Sequence, residues 1–371
     1  ATYSEAGAFD LRLEDTRFAS VDAGDGSTAA EMTIASLTAS VGRFVPDRFV
    51  LAPLVTPVLR TFDTAACATR SFTYVGQPFR YASAPQATVA AVAADGSVTR
   101  HYAGALWKLA GASVEQAYTP LAPASPGLDT GGIVEPDVAS HGDGTGTIGG
   151  AAADRLRFVR PTGAPLAPFD ADIALAWRVT DRSEEAEPGN GTIDTPAPLV
   201  FASIAFDAGN AFRHGVLRLA SAYGSELNPL PVGVEALAWN GQSFVVHAAD
   251  HCTTLPTASV SFAQWQRQLA PCETGLAPGA VRLAAGRAFF ALRRPGSGNA
   301  GSADLRLHLG ASVAAGVQTC AAPGPPVAAL AADRPWLQGN WNGTTGFAAD
   351  PTARASFGQY RSPLVYLREV H

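Results

Sequence analysis

Short runs of alternating apolar and polar residues, each closed by a turn signal, recur about every ten residues along this chain. "AFDLRLED", "EMTIASLTASV", "FTYVGQPFRYA", "GVLRLASAY", "GVEALAW" and "LRLHLG" are examples. On an extended strand, residues two apart share a face, so this alternation builds a sheet with one buried side. Asp95-Gly96, Asn240-Gly241, Pro295-Gly296 and Asn342-Gly343 supply turns between the runs. One segment alone has convincing helical spacing: "ASVSFAQWQRQLA" (258–270), where Phe262, Trp265 and Leu269 predict a short surface helix. The expected fold is all-β: tandem antiparallel β-sandwich (Ig-like) units with long loops and at most a few short helices. Residues 126–154 are rich in Gly, Pro and Asp, and are expected to be a loop or linker. It would separate an N-terminal sandwich (1–125) from a C-terminal sandwich region (155–371) whose final strand runs through Leu364–Val370. A second soft stretch, 181–199, is expected as a loop within the latter.

The 371 residues carry a net charge of −6 and no basic stripe, which excludes a nucleic-acid partner. No apolar run reaches the roughly 20 residues a membrane-spanning helix needs. The first residue is Ala1, as expected of a processed or excised piece. Four scattered cysteines, Cys67, Cys252, Cys272 and Cys320, form no C-x-x-C pair and suit two disulfides made in an oxidising compartment. Of three pairings, Cys252–Cys272 closes a short loop and is expected first, leaving Cys67–Cys320.

Motifs that could carry chemistry are thin. "LDTGG" holds Asp129 in an aspartic-protease-like loop, but the nearest second copy, "IDTP", places a proline where the turn needs glycine. "SHGDGTGT" (140–147) offers a His and an Asp without a nucleophile motif. His247 and His251 would share a face on a helix, yet "QSFVVHA" reads as a strand, where residues four apart lie about 13 Å from one another. Calcium candidates are Asp22 and Asp25 in one loop and Glu135, Asp137 and Asp143 in another; neither completes a known calcium loop. Trp336, Trp341, Asn340, Asn342 and Tyr360 form a candidate glycan platform, because aromatic faces stack on sugar C–H patches while amides bond hydroxyls. The competing reading places these aromatics in the core.

Several strings occur together in one order: "YSEAGAFDLRL" (3–13), "VGRFVPDRFVL" (41–51), "FTYVGQPFRY" (72–81), "GSVTRHYAG" (96–104), "YGSELNPLPVGVEALAWNG" (223–241), "CTT" (252–254) and "DPTARASFGQYRSPLVYLREV" (350–370). With them the chain resembles, over nearly its whole length, the C-terminal domain of MshQ-like proteins. That is a domain of unknown function found in large surface proteins encoded with the mannose-sensitive haemagglutinin (MSHA) type IV pilus. The chain departs from the family in "VHAADHC" ahead of "CTT" and in ending on His371. The resemblance implies a secreted protein at the surface of a Gram-negative bacterium, and it brings no catalytic residues. The expected function is a non-enzymatic structural or adhesive part of a pilus or similar filament, with no cofactor unless calcium. Its partners would be pilus or filament proteins, copies of itself, or surface glycans. The alternatives are a carbohydrate-binding or carbohydrate-active module, and a self-assembling filament subunit built by edge-strand pairing.

Overall fold

A computed structural model of the chain describes residues 3–186, 191–314, 316–321, 327–343 and 346–358. Among these residues the regular structure is strand, interrupted only by short 3-10 turns. None of the helices is long and apolar enough to cross a membrane, which says nothing about crossing by strands. The expected all-β architecture of antiparallel sheets is what the chain adopts.

Alternation explains the strands one by one. In Ile173–Asp181 the side chains of Ile173, Leu175, Trp177, Val179 and Asp181 are buried and those between are half-buried. Residues 173–179 of this strand pair antiparallel with Val114–Pro120, and Thr180 and Asp181 pair with Ile193–Asp194. A second sheet runs in the order Asp137–Ser140, Thr145–Gly149, Gln86–Val92, Arg48–Val55. A third runs Leu128–Gly132, Arg155–Phe158, Phe79–Ser83, Val58–Leu59, ending with Ala205–Phe206. Phe49, Phe79, Ile148, Phe158 and Trp177 meet in the first core.

The second core is a sandwich. One sheet centres on Leu230–Trp239, flanked by Gly215–Leu219 and Arg287–Leu292. The other has the order Ala222–Gly224, Thr352–Phe357, Gly301–Leu307, Val260–Arg267. Val232, Val234, Phe290 and Leu292 from the first sheet pack with Phe262, Leu305, Leu307 and Phe357 from the second. At roughly 1.5–3 kcal/mol for each large apolar side chain, this burial is the main force holding the layers together.

Two expectations about these segments are corrected. Residues 126–154 are neither loop nor linker: they contain three strands, and Ile148 is fully buried. Gly146 serves packing, since a Cβ there would sit 2.6 Å from both the Trp107 ring and the Ala139 carbonyl. The helix expected at 258–270 is a 3-10 turn (Thr257–Ser259) followed by the strand Val260–Arg267. A register shift between Ala263 and Gln266 inserts one extra residue, so Phe262 and Trp265 fall three apart and, with Leu269 beyond the strand's end, imitate helical spacing. The expected final strand, Leu364–Val370, lies outside the described residues.

The two cores meet along a seam near residue 213. Phe62, Phe72 and Tyr74 come from the first half of the chain but belong to the second core. Phe72–Tyr74 pairs in parallel with Ala211–Arg213. The disulfides join Cys67 to Cys252 and Cys272 to Cys320, correcting the pairing expected from loop length. Proximity in sequence was the wrong guide, because the Phe72–Tyr74 pairing carries Cys67 into the second core, where Cys252 is also buried. Beside Cys252, the buried Asp250 carboxylate accepts from the Cys252 and Thr253 N–H groups, the Thr253 hydroxyl and Tyr74 Oη–H (2.8 Å). Arg160 reaches across the seam, donating to the carbonyls of Phe347 (2.7 Å), Gln338 (2.7 Å) and Gly215 (3.0 Å).

Two seam histidines are held neutral. His214 is fully buried, with its Nδ1 accepting from the Leu166 N–H (3.2 Å) and its Nε2 without a hydrogen-bond partner among the described residues. Burial, helped by the nearby Arg160 charge, pulls its pKa down to about 3. His247 packs edge-on against Phe72, and burial brings its pKa down to about 4, opposed by Asp250 and assisted by Arg213. Both values lie below the ordinary 6.5, so between pH 6.5 and about 4 the unfolded chain binds protons that the folded chain refuses. The melting temperature should therefore fall as pH drops from 7 through that window. His214→Gln should flatten the decline, and an identical pH profile in the variant would refute a titrating role for His214.

Candidate functional site

The outer face of the second sandwich's four-stranded sheet is polar where its inner face is apolar. Alternation along Gly301–Leu307 sends Ala303 and Leu305 into the core and leaves Asp304 and Arg306 outside. The neighbouring strand buries Ala353 and Ala355 and leaves Thr352 and Arg354 outside. With the bulged edge strand and the segment 316–318, this face encloses an open groove of about 910 Å³.

Trp265 forms one wall. One side of its indole stacks on Phe262 (5.9 Å, 24°), and its Nε1–H donates to Gln318 Oε1 (3.1 Å), so the ring is fixed. Gln264 and Arg267, on either side of it, take positive φ values of 52° and 60°. Non-glycine residues in that region cost about 1–3 kcal/mol each and concentrate where a side chain must be aimed. On the floor, His308 Nε2 lies 2.7 Å from Ser261 Oγ, and His308 Nδ1 is 3.6 Å from Asp350 Oδ2. Asp350 Oδ1 accepts from the Leu309 N–H and the Gln338 amide; although burial opposes it, contacts with His308, Gln338 and Leu309 hold the carboxyl below its ordinary pKa. Arg354 grips both oxygens of Asp304 (2.7 and 3.1 Å). Arg306, in register with Ser261 and Thr352, is exposed and has no hydrogen-bond or ion-pair partner among the described residues.

Of the residues expected as a platform near the end, Trp336 is not on the surface. Trp336 is core: it sits in the turn Pro335–Leu337, 9% exposed, with the Arg334 guanidinium 5.9 Å from its ring centre. Trp341 is 38% exposed and lies against Gly339; Asn340 and Asn342 are exposed beside it. Tyr360 lies outside the described residues.

The acidic candidates are scattered as well. Asp22 and Asp25 share the turn Ser20–Asp25, where Asp25 accepts from the Ser27 hydroxyl. Glu135 and Asp137 are exposed, and Asp143 is caught in its own turn by the Thr145 N–H and hydroxyl, which lower its pKa. Among the described residues, no three His, Cys, Asp or Glu side chains converge as metal ligands. His251 Nδ1 accepts from the Ala285 N–H while His247 packs on Phe72, so the two do not share an ion. Asp129 is ion-paired with Arg157.

The groove residues Trp265, Ser261, His308, Asp304, Arg306 and Arg354 were not found from the sequence. One signal was available: the apolar spacing 260, 262, 265 is a strand with a slip in it, and a slip beside an aromatic marks a re-aimed side chain.

Residues 5–197 match the third domain of DUF6701, and residues 213–370 match its fourth domain. The chain belongs to the DUF6701 family. The seam near residue 213 thus coincides with the join between these two domains, and Cys67–Cys252 crosses it. A search of the curated proteins found no match. Among solved structures, the Yersinia pseudotuberculosis adhesin InvE matches at 10% identity and a TM-score of 0.20, covering 74% of this chain. The chain spans 54% of that structure, and a TM-score of 0.20 does not establish a shared fold.

Proposed function

We propose that this domain pair is a non-enzymatic, load-bearing component of a bacterial surface appendage, MshQ-like and associated with a type IV pilus, acting in adhesion. The observation that carries the reading is the seam, where a disulfide, the Tyr74–Asp250 bond and the Arg160 clamp tie two β domains into one block. Scattered disulfides of this kind form outside the cytoplasm, and a staple between domains matters most where tension acts on the chain. Ser261, His308 and Asp350 line up as a nucleophile, base and acid would, but Ser261 sits within the strand Val260–Arg267, in register with Arg306. Its main chain is committed to the sheet rather than aimed at a developing oxyanion, the feature that contributes most to acyl-transfer catalysis.

In a strain carrying this gene, removal of both domains should reduce pilus-dependent surface attachment at least tenfold while pili still assemble. Unchanged attachment would refute the adhesive role. The purified protein should show no mass increase with a fluorophosphonate, and an adduct on Ser261 would overturn the non-enzymatic part.

A further inference from the structure

We propose that the Trp265 groove of the fourth domain is a binding site for a carboxylated saccharide, deepening the adhesive reading on which it rests. Three features of the groove converge on this chemistry. The indole of Trp265 is fixed by Phe262 on one side and Gln318 at its nitrogen, so it offers a ready aromatic surface at little ordering cost. Sugar rings present flat C–H patches to such surfaces, as apolar groups do in most small-ligand sites. The left-handed backbone at Gln264 lies in the bulge between Ala263 and Gln266, which sets Trp265 at the groove edge.

The charge on the groove face selects the ligand further. Asp304 and Arg354 neutralise one another, and Asp350 lies behind His308 with one oxygen taken by a backbone N–H and an amide. Arg306 is left as the available cation, on a chain whose net charge is −6. A guanidinium matches a carboxylate in a two-bond fork. One cation against an acidic background favours carboxylates spaced one to a sugar ring over the denser charge of a sulfated or polyacidic chain, which the rest of the molecule repels more strongly. Thr352 adds an exposed hydroxyl at the same groove for a sugar hydroxyl.

The probe is polygalacturonate, measured by biolayer interferometry with the oxidised full chain at low and at physiological salt. Its methyl ester, dextran sulfate and poly-glutamate serve as comparisons. Polygalacturonate should bind, the methyl ester at least tenfold more weakly, and Trp265→Ala and Arg306→Gln should each lose at least tenfold. Trp265→Phe should retain part of the affinity, and Arg306→Gln, an exposed change, should melt at the wild-type temperature. Absence of binding, or binding indifferent to both substitutions, would overturn the site. Equal or stronger binding of dextran sulfate or poly-glutamate, lost in Arg306→Gln but unaffected in Trp265→Ala, would overturn it in favour of a simple anion or acidic-peptide contact. Wild-type attachment by an Arg306→Gln strain, with attachment still lost on deleting both domains, would reject the saccharide site and leave the adhesive role standing.

Discussion

Stretched from its two ends until fully unfolded, the oxidised protein should lengthen by about 650 Å less than a Cys67→Ser, Cys252→Ser double variant. The difference is the chain hidden behind the cross-domain disulfide: a sequence separation of 185 residues, at roughly 3.5 Å each when extended. Tension applied at the ends passes through the S–S bond and cannot reach the strands between, which include most of the first core and the start of the second. The second disulfide hides a shorter loop, with a separation of 48 residues, worth about 170 Å of extension by the same arithmetic. On the chain-entropy account, the longer loop also stabilises the folded state by about 5 kcal/mol. Single-molecule force spectroscopy reads the contour length directly. Equal lengths for the oxidised protein and the double variant would show that Cys67 and Cys252 are not joined, and would remove the main support for a load-bearing block.

Strands were legible in the sequence wherever one face is buried and the other wet, because alternation is then forced. Gly301–Leu307 is of that kind, with Asp304 and Arg306 on the outer side. Alternation failed where the backbone departs from a regular ladder: the bulge at Ala263–Gln266 turned a period of two into apparent helical spacing, and the most informative tryptophan was taken for a helix face. Composition misled at 126–154, since Gly146 is there to admit the Trp107 ring rather than to make a flexible connection. Cysteine pairing was beyond local reading. It depends on the parallel pairing of Phe72–Tyr74 with Ala211–Arg213, a contact between residues about 140 apart in the chain that no short-range signal announces. The groove was invisible for the same reason: Ser261, His308 and Asp350 meet only after three separate segments are brought to one sheet face.

Arg160→Ala should cost about 3 kcal/mol and open the seam while leaving each core folded. Its guanidinium is largely enclosed, with burial lowering its pKa to about 10, and no carboxylate among the described residues pairs with it. The charge is held instead by three backbone carbonyls of the fourth domain and by the Phe347 ring, 5.7 Å away. Carbonyls cannot turn to find other donors, so truncation leaves Gly215, Gln338 and Phe347 short of partners at about 1–3 kcal/mol for each one that water does not reach. Arg160→Lys should fare little better, because one ammonium on a flexible stem cannot spread over three acceptors as the planar fork does. Hydrogen exchange locates the damage: the Phe347 N–H, bonded to the Thr162 carbonyl across the seam, should lose protection, while amides of Leu230–Trp239 keep theirs. Because Arg160 and the Cys67–Cys252 bond hold the same seam, removing both should destabilise by more than the sum of the two single changes. Strict additivity, with exchange at Phe347 unaltered in Arg160→Ala, would mean that the domains stay joined without the clamp.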